Sequence, residues 1–587
     1  MSESRGAMER WLVLVLALTL VSGNFNVSLE EVATVFLPTT GREWDYKVVQ
    51  RATYDADTKL LYVVGGLSRF VIDMKNPPNL APVRTDSSPQ GNVEYTDISS
   101  CGNHFIQTTH DTAYPPNGTV KIFKKFDASR PTEEVFSAQV GENPSCVRFL
   151  SGCRTAIVTV RGSAYKSGSD FIDPQGKVLL VRLPGARYAG SFASNVDITT
   201  LDFTKFDARV SELLRGGARF VYRDRHNNFS NDVDPNKITV TPDGKTAYIG
   251  LQRSNAVAML DVSSGNIVSI RGLGVKSWSN LLMDASDQDG GINMRAWPIS
   301  SYYLPDGIEY MTHNGNNYIV TANEGDDYDY SDMISWKEEM RGREFVENNM
   351  TADSLSSEMK TWLANDTMLG RLTFTTQNGE NNVTGGYSKF VTLGSRSFSI
   401  WNATSMKQVY DSGDDIERTH ADLYPDLFNG DVNGTNTPTQ DADKTSPERG
   451  PEPESVSVGA IGRLSLIFIG NEAPGTISVY SILDGIKPRL ECIWAGVKNT
   501  SLTWRSMFTN KAIKGVAPEH IIFLPKDKSP TGREAIIVMG TKSGSVTLLN
   551  VVLTGTIPPA SQASGLQASL LLLAGILILH GAIKWCF

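Results

Sequence analysis

Five cysteines and seven histidines in 587 residues are too few to make this a disulfide-framework protein, and the cysteine spacing is unlike that of a zinc site. His104, His110, His226, His313, His420, His520 and His580 form no HExxH pair, and there is no G-x-S-x-G elbow. The familiar zinc-protease and α/β-hydrolase arrangements are thereby excluded. Positive charge is also short: 55 Lys+Arg face 64 Asp+Glu, for a net charge of −9. With no basic stripe, there is no electrostatic case for nucleic acid. Helical patterns are few.

Both ends of the chain read as addresses. Arg5 and Arg10 lead into the apolar run "WLVLVLALTLV", and Val21-Ser22-Gly23 supplies small residues for cleavage before Asn24. Residues 1–23 are therefore expected to be a signal peptide. At the other end, "SQASGLQASLLLLAGILILHGAIKWCF" has small residues, a short polar stretch and an apolar run. This suits a glycosylphosphatidylinositol attachment signal over 554–587, with Ser561 as the expected site and Ala563 and Ser564 as competitors. The rival is a transmembrane helix from Leu566 to Ile583, barely long enough to span and followed by no Lys/Arg-rich tail. The expected ectodomain is 24–553, secreted to the outer leaflet of the plasma membrane.

Cys586 would leave with the tail, so Cys101, Cys146, Cys153 and Cys492 form an even set in an oxidising compartment, open to three pairings. Nine N-x-S/T triplets, at Asn26, Asn117, Asn228, Asn349, Asn365, Asn382, Asn402, Asn433 and Asn499, are candidate glycosylation sites.

Short strands fill the middle. "KITVTPDGKTAYIGLQRSNAVAMLDVSSGNIVSI" reads as four antiparallel strands with turns at Pro242-Asp243-Gly244 and Ser264-Gly265. The plan recurs from Ala52, Ser145, Glu454 and Glu519, with a partial copy from Ser388. Four-stranded repeats of about 40 residues predict an all-β fold, a β-propeller. Seven blades are favoured over eight, with a short helical excursion around residues 330–366. The early strand "EVATVFLP" is placed to complete the last blade. A β-sandwich or two stacked β-domains would share the turn spacing but not the repeated unit.

Acidic residues repeat in register. Asp306 precedes one first strand and Glu324 ends the next strand; Glu454 and Glu472 do the same 18 residues apart, as in the first pair, and Glu519 takes the first position again. A propeller brings equivalent points of its inner strands to one mouth, where converging carboxylates repel unless a cation fills them. Oxygen-only ligands suit a hard ion, calcium first. Asp326 and Asp327 join the candidates, with Asp329 and Asp332 weaker. "DYDYSDMISWKE" and "DADKTSPERGPE" lack the glycine that an EF-hand loop needs at its sixth place. The alternative is that these are solvent-facing turn acids. His520, beside Glu519, and His313, near Asp306, are channel candidates for which a structural role is the commoner outcome.

"YIVTANEGDDYDY", "LGSRSFSIW", "RGPEPESVSVG" and "PNKITVTPDGKTAYIGLQRSNAVAMLD" together resemble the choice-of-anchor I propeller family, from about Ala52 to Val552. Its animal members include a cell-surface glycoprotein of skeleton-forming cells, which implies an association with calcified mineral. Its bacterial members are often labelled alkaline-phosphatase-like, which implies a metal-dependent phosphoesterase ancestry. That pattern tends to place Glu at the end of the second strand in several blades. This chain has Arg161, Arg253 and Thr541 there, and Asn236 for a first-strand acid. A multinuclear hydrolase needs nearly all its ligands. The reading is therefore a non-enzymatic, lipid-anchored glycoprotein binding calcium or a mineral surface, with extracellular matrix proteins as further partners. The alternatives are a phosphoesterase and a propeller adhesion module.

Overall fold

The computed structural model describes residues 25–38, 44, 47–88, 91–113, 116–184, 192–221, 228–377, 380–381 and 385–558. The leader, Asn382, Ser561, Ala563, Ser564, Cys586 and the apolar tail lie outside the described residues. The chain divides into a large unit, Glu30–Asn550, and a small one, Met1–Leu29 with Val551–Phe587. Within the small unit, Thr554 Oγ1 donates to the carbonyl of Asn26 (3.4 Å).

The large unit is a seven-bladed β-propeller of four-stranded antiparallel sheets. The inner strands, in order of blades one to seven, are Arg51–Asp55, Val93–Cys101, Pro144–Phe149, Pro235–Val240, Ile308–His313, Pro453–Ile461 and Pro518–Leu524. Each inner strand touches the next, and the seventh returns to the first, so the ring is closed. The N-terminal strand (Phe25–Phe36) is the outer strand of blade seven, as expected, and Thr34 Oγ1 donates to Thr547 Oγ1 (3.2 Å).

Apolar and β-branched residues on both faces of the middle strands build the interblade cores. Leu464–Asn471, "LSLIFIGN", is buried along its whole length. The Asn314-Gly315 turn of blade five has φ of 48° and 75°, the positive pair that a type I′ hairpin demands.

The candidate eighth blade is not one. The copy from Ser388 supplies the third and fourth strands of blade five, Ser397–Asn402 and Gln408–Asp411. The excursion lies between the second and third strands and contains the helices Ser331–Ile334, Gly342–Glu347 and Ser357–Leu363. Blade two, Val93–Gly141, escaped the repeat analysis. Much of its face toward blade one is polar (Gln107, Thr109, Thr119, Lys121), where an interblade face is otherwise apolar, which disguises the pattern.

Arg396 of the "LGSRSFSIW" segment is 1% exposed. It donates to the carbonyls of Asp284 (2.7 Å) and Ser446 (2.5 Å) and to Glu417 Oε1 (2.8 Å). One buried guanidinium thus ties two loops and the helix Asp415–Leu423 to blade five, because it offers five donors in a fixed plane.

Cys101 and Cys153 are disulfide-bonded, linking turns of blades two and three. The four candidate cysteines do not resolve into two bridges. Cys146 is buried between blades three and four and Cys492 lies on blade six, so no bond joins them. Burial pushes the Cys146 thiol up to about 11. None of the eight described glycosylation candidates is buried. Asn365, Asn402, Asn433 and Asn499 use the side-chain carbonyl in local turns. The amide nitrogen, where a glycan would attach, is not the group those turns engage.

Candidate metal centre at the propeller mouth

Register explains why equivalent side chains gather at one mouth. Five inner strands shift register near their start, skipping Thr96, Ser145, Asn236, Glu454 and Glu519. A bulge withdraws such a residue from the ladder and re-aims its side chain. Asn236 Nδ2 reaches the next blade and donates to Asp306 Oδ1 (2.6 Å). Opposite these bulges, Pro144, Pro235, Pro453 and Pro518 face Val160, Leu251, Asn471 and Gly540. The residues immediately after, Arg161, Gln252, Glu472 and Thr541, form a second ring of equivalent positions. Gln252, rather than Arg253, is therefore the counterpart of the glutamates. Register decides this, and a one-residue offset was invisible in the sequence.

Asn323 and Asn471 aim the glutamates that follow them. Asn323 Nδ2 donates to Ser399 Oγ (2.9 Å), and Asn471 Nδ2 to Ser478 Oγ (3.1 Å), so each asparagine fastens the second strand to the third. Gly325 then turns the chain back. Its φ is +105°, and a Cβ there would lie 2.7 Å from the Leu393 carbonyl oxygen. Only glycine fits that close approach.

Glu324, Glu454 and Glu472 each present a carboxylate oxygen within 4.8 Å of the others. Glu454 is 7% exposed, and its Oε2 has no hydrogen-bond partner among the described residues. Gln252 Nε2 donates to Glu324 Oε2 (3.0 Å), and Lys542 stands 3.7 Å from Glu472. Burial raises all three above the ordinary carboxylate range. Asp306 and Glu472 add to the rise at Glu324, Glu519 and Glu472 to that at Glu454, while Lys542 opposes burial at Glu472. Glu452, which sequence reasoning missed, is pushed up to about 8 by burial and by Glu472. It lies two residues before Glu454, outside the register used to find the others.

The remaining candidates are not in this cluster, because the fold brings cations to them. Glu519 is 2.6 Å from Arg51, and Asp306 is 3.3 Å from Lys237. Burial would raise Glu519, but Arg51 and Lys237 hold it below the ordinary range. Asp326 meets Arg253 at 2.8 Å and Arg161 at 3.2 Å. Against the burial that would raise it, these hold it down at about 2. Asp327 is paired with Arg449. Asp329 and Asp332 are exposed, and Asp329 Oδ1 accepts the Ser331 N–H (2.8 Å), as a turn acid does.

Further down the channel a cavity of about 320 Å³ is lined by residues that include Arg148, Glu309 and His520. His520 Nδ1 accepts the Ala52 N–H (3.3 Å), and burial with Arg148 and Arg51 lowers its pKa well below the ordinary value. His313 pairs with Ser465 Oγ (2.8 Å) and is buried in blade five, not at the mouth.

The choice-of-anchor I domain matches residues 50–485. Gigasin-3a of Magallana gigas is 35% identical over 190 residues, which are 32% of this chain and 66% of that protein. The mesenchyme-specific cell surface glycoprotein of Strongylocentrotus purpuratus is 30% identical over 335 residues, 52% of this chain and 42% of that protein. The chain thus spans less than two thirds of the length of either relative. The Cps50 (Swd1) β-propeller domain of Myceliophteria thermophila is similar at a TM-score of 0.38 and 9% identity, covering 89% of this chain and 100% of the other. The N-terminal domain of Nup159 is similar at 0.39 and 7%, covering 90% and 96%.

Proposed function

This chain belongs to the choice-of-anchor I family, and we propose that it is a non-enzymatic extracellular glycoprotein, lipid-anchored at the cell surface, that binds calcium at its propeller mouth and takes part in biomineralisation. The observation that carries the calcium reading is the Glu324–Glu454–Glu472 cluster. Three carboxylates meet there, and a buried oxygen of Glu454, Oε2, has no hydrogen-bond partner among the described residues. An all-oxygen donor set suits a hard cation, with water completing the shell. Binding would displace the protons that the raised carboxyls hold, so affinity would rise with pH.

The extracellular part rests on the leader, on the surface position of the described sequons, and on a relative whose name describes a cell surface glycoprotein. Exposed glycans and carboxylates would concentrate cations beside forming mineral and offer contacts to matrix proteins. At two mouth positions where the bacterial pattern tends to place Glu, this chain has Arg161 and Thr541, which weighs against the clamp of a multinuclear phosphoesterase.

Metal analysis of the purified protein, paired with a phosphatase assay, tests this reading. Bound calcium without turnover is the expected result; turnover with bound transition metal would replace it. Release from cells by a phosphatidylinositol-specific phospholipase tests the anchor, and retention while a control anchor is shed would favour a membrane span.

A further inference from the structure

Between blades one and two the packing opens into a cavity of about 670 Å³, within the range of small-molecule sites. Its floor is one face of blade two. The third strand, Gly118–Lys124, alternates polar and apolar: Thr119 and Lys121 face the cavity while Val120 and Ile122 pack toward blade three. Across the sheet, Thr109, Thr119 and Gln139 form one polar row, and Gln107, Lys121 and Ser137 the next. The apolar contact of blade one with blade two is confined to the part around Leu60, Tyr62, Phe105 and Phe123.

The charges lining this cavity balance, three cations against three carboxylates, and Asp111, which has no ion-pair partner among the described residues, accepts from Asn92 Nδ2 and from the Ala113 N–H (2.8 Å). Arg69 and Arg84 hold Asp86 at 2.8 Å and 2.7 Å, and Lys121 holds Glu134 at 3.1 Å. Arg69 is 4% exposed, and its Nη1 donates to Gln107 Oε1 (2.7 Å). An ionic ligand would have to break these pairs. A neutral polyhydroxylated one would bond to the planar amide and carboxylate groups as they stand, beside the Tyr95 and Phe123 rings that also line the cavity.

The sequon Asn117-Gly118-Thr119 runs along this cavity, with both Asn117 and Thr119 in its lining. Asn117 is half-buried, unlike the exposed Asn349, Asn433 and Asn499. We infer that the cleft between blades one and two is a neutral-saccharide site, and that its occupant is the N-linked glycan carried by Asn117. The glycan fills an interblade gap that apolar side chains fill elsewhere. The inference rests on the secretory reading above, and the test separates the two.

The full-length chain, made in a secretory host, is treated with endoglycosidase under native and then denaturing conditions, and each sequon is read by peptide mass spectrometry. Expected are an occupied Asn117 whose glycan survives native treatment at least tenfold longer than those on Asn349, Asn433 and Asn499, and equal loss after denaturation. Asn117→Gln should then lower the melting temperature by more than Asn433→Gln does, and should let the emptied cleft bind N,N′-diacetylchitobiose, seen as saturation transfer that wild type lacks. A bare Asn117 beside occupied sequons overturns the inference alone. All sequons bare overturns the secretory reading with it. Trimming at the rate of the exposed sites, or binding of free chitobiose by wild type, shows a cleft without its own glycan and also overturns it.

Discussion

The two halves of the propeller mouth use equivalent ring positions for opposite ends. On blades three and four the second-strand positions hold Arg161 and Gln252. Arg161, with Arg253, binds Asp234 and Asp326 into a network that needs nothing from outside. On blades five and six the same positions hold Glu324 and Glu472, which meet Glu454; among the described residues only Lys542 comes within ion-pair distance of them. Carboxylates on the first side are neutralised by the fold itself. On the second they must keep protons or take a cation from solution. Acidic register alone therefore does not define a metal site; the placement of the arginines divides the ring.

The largest effect should come from unmaking the paired side. Arg161→Met with Arg253→Met strands Asp234 and Asp326, and removing the partners of part-buried charges should cost about 4 kcal/mol. A urea midpoint gives the value; a loss below about 1 kcal/mol would mean that both halves are equally solvated. Next, calcium at a hundredfold excess over its dissociation constant should stabilise wild type by about 2.7 kcal/mol. Glu324→Gln with Glu472→Gln should remove most of that shift, and without calcium this variant should be no less stable than wild type, since like-charge repulsion is relieved. A melting curve indifferent to millimolar calcium would erase the distinction between the halves.

The pH dependence should be of opposite sign on the two sides and, per pH unit and per proton, smaller than either effect above. Glu324, Glu454, Glu472 and Glu452 have raised folded pKa values, the last about 8. They take up protons on folding, so their contribution is complete below the ordinary glutamate range and lost as pH rises through the folded values. Metal-free stability should fall between about pH 5 and 8, by up to about 1.4 kcal/mol per unit for each proton. The double glutamine variant should show a shallower slope. Asp326 and Glu519 are lowered, so their contribution is present above the ordinary range and lost as pH falls through the folded values, toward 2 for Asp326. An identical slope in wild type and variant would assign the upper limb elsewhere, for instance to Asp284, which burial and Asp443 push up to about 7. Smallest of all, Asp329→Asn should change stability by less than about 0.5 kcal/mol and leave the calcium shift intact. A lost shift would return that turn acid to the site.

The propeller was legible because its unit repeats: β-branched runs, Pro-Asp-Gly and Asn-Gly turns, and a spacing that survives large insertions. Blade two was not, because its polar face breaks the apolar pattern on which the repeat was recognised. The three central glutamates were legible from register. Gln252 was hidden by the drift of one residue between blades, and Glu452 by lying outside the repeated position. Arg51, Lys237 and Lys542 gave no signal, since an isolated cation in a strand or turn reads as a solvated side chain.

Local chemistry in the sequence set where strands begin and turn, which positions recur, and that acids accumulate at the strand ends. Those follow from side-chain periodicity and backbone preference, which act over a few residues. Which acids stand unpaired was decided only in three dimensions. Asp234 meets Arg161 across 73 residues, and Glu519 meets Arg51 across 468. Coulomb and desolvation energies depend on distances through space, and ring closure sets those distances, not separation along the chain.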